Sequence, residues 1–156
     1  MQITVKTQWS TVHGAARTVM QNAGFKKITH LLSSDEKKGK HVVVAIKQYV
    51  NDLRYSNLPD QELRLISIEL GILWAYQVNV AKKAKERWVW FLISFDGSPE
   101  QLAFAPRDCS YVILPGSWIY EMITHPTSDN TIVLLYNMLL ANNLPDAEPK
   151  SYTLLR

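Results

Sequence analysis

The side chains able to hold a metal or attack a substrate are few and scattered. His13, His30, His41 and His125 stand at no spacing that would make a zinc site with Cys109, the single cysteine. Cys109 lies between Arg107-Asp108 and Ser110-Tyr111. A nearby arginine favours a thiolate, but no histidine partner stands out, so the thiol reads as structural. Gly-rich phosphate loops, Gly-x-Ser-x-Gly elbows and His-Glu-x-x-His helices do not occur. The sequence therefore assigns no catalytic residue, no metal ligand and no cofactor.

The lysines carry the stronger signal. Residues 1–50 hold eight Lys/Arg against Asp35 and Glu36, whereas residues 51–156 hold nine basic and twelve acidic residues. The chain as a whole is at +3, so the positive charge is gathered at one end. Such a segment suits a polyanion or an acidic protein surface. Lys26, Lys27, Lys37, Lys38, Lys40 and Lys47 are the candidate phosphate contacts, with the run Lys82–Arg87 as an extension; the plain alternative is a solvated lysine-rich loop. Among the aromatics, Trp74, Trp88 and Trp90 read as core. Trp9, Tyr111, Trp118 and Tyr120 lie near turns, where aromatic rings serve partner interfaces or base stacking.

These residues have to be positioned by one α/β domain of 156 residues, a length that buries a core without disulfides. One cysteine fits a reducing compartment, and the N-terminus lacks the apolar stretch of a secretion signal. The run Leu70–Ala81, with Gln77 and Asn79 inside it, is too short to span a bilayer. A soluble, cytoplasmic protein with no membrane partner is expected. The fold class is a small mixed sheet with a long buried central helix and flanking helices.

In chain order, residues 2–6 alternate as a short strand, and Thr11 to Ala23 has a helical stripe ended by Gly24. Strands are expected at 26–32 and 41–50, the second with Val42, Val44 and Ile46 on one face. Residues 33–40 form a polar turn between them. The central helix covers 58–86, with Gly71 placed for a close crossing and Lys82, Lys83, Lys85 and Arg87 complementing its negative end. Trp88–Phe95 has no polar face and reads as an interior strand. Asp96-Gly97 marks a hairpin to a strand at 102–105. A strand at 111–114, a turn at Pro115-Gly116 and helices at 118–123 and 129–142 follow. Residues 146–156 are expected to form a loosely held tail.

The order helix, strand, strand, long helix, strand, with the run Val42-Val-Val-Ala-Ile-Lys-Gln-Tyr49, resembles the restriction-endonuclease-like superfamily over about residues 10–95. Members of that superfamily place two carboxylates on a divalent metal and follow the second, two residues on, with a lysine. Lys47 matches the lysine, but Ala45 stands where the acid belongs. Three functions follow in order. The first is a non-catalytic accessory protein on nucleic acid. The second is a protein-interaction module of the inhibitor, immunity or accessory kind. The last is a metal-dependent nuclease.

Overall fold

A computed structural model of the chain describes the backbone of residues 3–8 and the whole of residues 39–156. The helix expected at 11–23, the strand at 26–32 and the turn residues 33–38 lie outside the described residues. Those described form β1 (Ile3–Gln8), α1 (Gly39–Leu53), α2 (Asp60–Val80), a 3-10 turn (Ala84–Glu86), β2 (Val89–Phe95) and β3 (Gln101–Ala105). β4 (Tyr111–Val112), α3 (Pro115–Thr124), α4 (Ile132–Leu140) and β5 (Thr153–Leu154) complete them.

The expected strand at 41–50 is instead α1. Its three consecutive valines favour a strand locally, and alternation over a short window supports that reading. Burial follows a different period. Val42, Val43, Ile46, Val50 and Leu53 are buried while Val44 is exposed, a stripe with helical spacing. α1 packs against α2, α3 and α4, and that contact overrides the valine propensity.

α2 is 21 residues, about 32 Å at the usual rise, and stops six residues before the expected end. Asn79 stops it. Its Nδ2 donates to the Trp88 carbonyl at 2.9 Å and its Oδ1 accepts the Trp88 N–H at 3.0 Å, drawing the chain back on itself. From Glu69 to Val78 the helix is buried on nearly every side, as its apolar girth requires. Gly71 supplies the expected close crossing. A Cβ there would stand 2.7 Å from Pro115 Cβ and 2.8 Å from the Pro115 carbonyl carbon, and one on Gly116 would meet Ile68 Cγ1 at 3.0 Å. Glycines on both helices thus let α2 and α3 touch through backbone. Pro115-Gly116 is therefore the first turn of α3 rather than a separate turn, with proline at a position where no N–H is required.

β2 lies between β1 and β3, antiparallel to both, which explains its lack of a polar face. Trp90 faces the helices and Ile93 a smaller cluster on the other side. Asp96 and Gly97, at φ 51° and 76°, make the hairpin turn. Phe104 and Ile113 exchange two 2.8 Å backbone bonds that link this antiparallel sheet to a second one, in which β5 pairs with β4 in parallel. Strand pairing is therefore mixed across the two small sheets, and the fold is α/β around one main core.

Part of the stretch expected as a tail pairs with β4 as β5. The N–H groups of Lys150, Tyr152, Thr153 and Leu155 donate at 2.8–3.0 Å to the carbonyls of Asp108, Cys109, Ser110 and Val112. The stretch is polar and carries Pro145 and Pro149, so no periodicity announced this strand; the open edge of β4 supplies it. Among the described residues no helix is long and apolar enough to cross a membrane.

Candidate nucleic-acid interface

The exit of α2 gathers positive charge because the sequence Lys82-Lys-Ala-Lys-Glu-Arg87 is turned back over the helix end. Two of its cations are held by helix termini. Arg87 Nε donates to the Asn79 carbonyl at 2.9 Å and to that of Lys82 at 3.3 Å, capping α2 itself. Lys82 Nζ donates to the Leu139 carbonyl at 3.0 Å, serving the last turn of α4, which has no basic residue of its own. Burial holds the Lys82 amine below the ordinary lysine range. The Lys85 side chain is exposed.

Across from this run stands the loop after β3, which brings Arg107 and Asp108. Together they line an open cleft of about 430 Å³, walled by Trp88 and Tyr111 and closed by Asn142 and Leu144. Lys82, Lys85, Arg87 and Arg107 face it against Glu86 and Asp108 only. The Asp108 carboxylate accepts the Ser110 N–H at 3.0 Å and its Oγ–H at 2.7 Å, bonds that hold its acid below the usual carboxylate range. Trp88 is buried and stacks parallel to Tyr111 with centroids 6.3 Å apart. The half-exposed Tyr111 donates its hydroxyl hydrogen to the Pro145 carbonyl. The cleft therefore offers cationic heads for phosphates at its rim and one half-exposed ring. It has no set of side chains arranged to read base edges.

The residues singled out from sequence fall in different places. Trp9, Lys26, Lys27, Lys37 and Lys38 lie outside the described residues. Lys40 is exposed in the first turn of α1, and Lys47 is half-buried, its carbonyl accepting Asn130 Nδ2 at 3.0 Å. Tyr111 belongs to the cleft. Trp118 is 5% exposed, packs edge-on to Trp74 and donates Nε1–H to Thr131 Oγ1 at 3.2 Å. Tyr120 is half-buried on the outer side of α3, where its hydroxyl donates to Asp60 and the Arg64 guanidinium lies 4.3 Å over its ring. Arg107 was not singled out, and no sequence spacing ties it to Lys85, 22 positions earlier.

Arg54 and Cys109 are occupied structurally. Arg54 donates to the carbonyls of Met122 and Ser128 at 2.8 Å and of Pro126 at 3.3 Å, fastening the end of α1 to the end of α3. Cys109 is buried at φ 55°, with its carbonyl bonded to the Tyr152 N–H. Among the described residues no group of three His, Cys, Asp or Glu could hold a metal ion. The run Val42–Tyr49 is helical, so Ala45 and Lys47 do not lie on a strand, the element that carries the matching triplet in the restriction-endonuclease-like superfamily. No family model, curated protein or solved structure matches the chain.

Proposed function

We propose that this is a non-catalytic, cytoplasmic accessory protein that associates with nucleic acid, gripping the phosphate backbone in the cleft at the exit of α2. The observation behind the reading is the juxtaposition of the exposed Lys85 and Arg107 with Lys82 and Arg87, each of which also caps a helix end, against two acids, one of them engaged by Ser110. Contacts of this kind release counterions, so affinity falls steeply with salt and little with sequence. If all four cations meet phosphates, the log–log salt slope is about −3.6 on duplex DNA, roughly a hundredfold loss between about 50 and 200 mM salt. The test is a fluorescence-anisotropy titration of labelled duplex and single strand at both salt concentrations. Lys85→Glu with Arg107→Glu should flatten the slope by about 1.8 while leaving the melting temperature in place. No binding by the unaltered protein at the lower salt overturns the reading.

A protein-interaction module is the second reading, supported by a different observation. Leu65 and Ile68 are 53% and 41% exposed on α2. Ile68 borders a groove of about 230 Å³ lined by Ile72, Trp90, Leu92 and Leu102. Apolar surface of this sort is what a protein partner covers. Under this reading, substitutions at Leu65 and Ile68 abolish partner binding and those in the basic cleft do not.

A further inference from the structure

Charge alone would direct the basic cleft toward duplex rather than single strand. Counterion release gives a salt slope of about −0.9 per phosphate contact on duplex DNA and about −0.7 on a single strand. A cleft that met only phosphates, through Lys82, Lys85, Arg87 and Arg107, would therefore hold the duplex more tightly at low salt. One wall of the cleft argues the other way.

That wall is Tyr111. Its ring is half-exposed beside the cations, whereas the Trp88 ring lying parallel to it is 7% exposed. Among the described residues lining the cleft, Tyr111 is thus the aromatic ring with open surface. It is also held in place before anything binds. Its hydroxyl donates to the Pro145 carbonyl, and the backbone on either side of it is pinned to β5. The Thr153 N–H donates to the Ser110 carbonyl at 3.0 Å, and the Leu155 N–H to the Val112 carbonyl at 2.9 Å. A ring fixed in this way loses little side-chain freedom when another ring is laid on it.

Bases inside a duplex are stacked on their neighbours and offer no free face, whereas an unpaired base does. We propose that the cleft takes single-stranded nucleic acid, with one unpaired base stacked on Tyr111 and the flanking phosphates on Lys85 and Arg107. This rests on the nucleic-acid reading of the cleft and adds the class of strand it selects. The space, about 430 Å³, suits a base with its sugar. A stacked base strengthens binding roughly 5-fold to 150-fold. At about 200 mM salt the duplex keeps only about a fourfold electrostatic advantage over four phosphate contacts, so stacking decides the order. Every base has a π face, so preference among sequences is weak.

The test uses the full chain and labelled oligomers of equal length: a thymidylate strand, an abasic strand with the same phosphates, and a duplex. In anisotropy titrations at about 200 mM salt the thymidylate strand should bind most tightly. The abasic strand should bind roughly 5-fold to 150-fold more weakly with the same salt slope. Tyr111→Leu should abolish the discrimination between thymidylate and abasic strands, and Tyr111→Phe, which keeps the ring, should retain it. If the leucine variant fails to fold, the comparison of the two strands on the unaltered protein carries the test. Three results overturn the selection of single strands while leaving the cleft a nucleic-acid site. They are equal affinity for thymidylate and abasic strands, a duplex bound as tightly as the thymidylate strand, or discrimination that survives in folded Tyr111→Leu protein. No binding of any oligomer, even at about 50 mM salt, overturns the nucleic-acid reading itself and this inference with it.

Discussion

The two halves of helix α2 both carry leucine and isoleucine, yet they meet different surroundings. From Glu69 to Val78 the helix is enclosed, with Leu70, Leu73 and Trp74 in the main core and Gly71 pressed against Pro115. Trp74 even donates its Nε1–H across to the Ile132 carbonyl at 3.1 Å. From Asp60 to Ile68 one side of the same helix faces outward. There Leu65 and Ile68 are exposed while Leu63 and Ile66 pack on the core, and α3 is met by Ile68 against Gly116 and by the polar group of Asp60, Arg64 and Tyr120. Apolar side chains are buried only where another element crosses, and a backbone-to-backbone crossing fixes that place within one turn.

The same substitution in each half tests this difference most directly. Leu73→Asp puts an unpaired charge in the core and should cost more than about 4 kcal/mol, enough to abolish soluble folded protein. A soluble variant with an unchanged melting temperature would move that face to the surface. Gly71→Ala comes next. Alanine gains about 1 kcal/mol of helix propensity, but its methyl meets the Pro115 backbone, and overpacking of that kind costs about 1–3 kcal/mol or more. A net loss in chemical denaturation is expected, and a net gain would mean the helices cross more loosely.

Glu69 gives a prediction with a pH signature. It is 3% exposed, and burial pushes its carboxyl from 4.5 up to about 7. The folded-state value lies above that of the unfolded chain, so folding favours the protonated form. Its contribution is complete below the unfolded value and is lost as the pH rises through about 7. Glu69→Gln should therefore match the unaltered protein near pH 4 and exceed its stability by up to about 3 kcal/mol near pH 8. Denaturation midpoints at the two pH values read the difference, and parallel curves would show that the carboxyl reaches solvent. The smallest effect belongs to Leu65→Asp, within about 0.5 kcal/mol because that side chain is largely in water. A larger loss would show that the exposed half of α2 is covered.

Some of this was legible in the order of residues alone. An interior strand at 88–95 follows from a run with no polar position, and β2 is the middle strand. The Asp96-Gly97 hairpin follows from residues that tolerate positive φ. Gly71, inside an apolar helix, marked a close approach whose partner the sequence could not name. Composition and periodicity are local, and they determined the α/β class, the long central helix and that hairpin. Features that depend on what faces a segment were settled only in three dimensions. Three valines became helix because α1 has helices to pack against, and a polar tail became a strand because β4 has an open edge. Arg107 joined Lys85 and Tyr111 in one cleft because the chain folds distant positions together. Spacing along a sequence carries no trace of such contacts, since each residue is ordinary until its neighbour arrives.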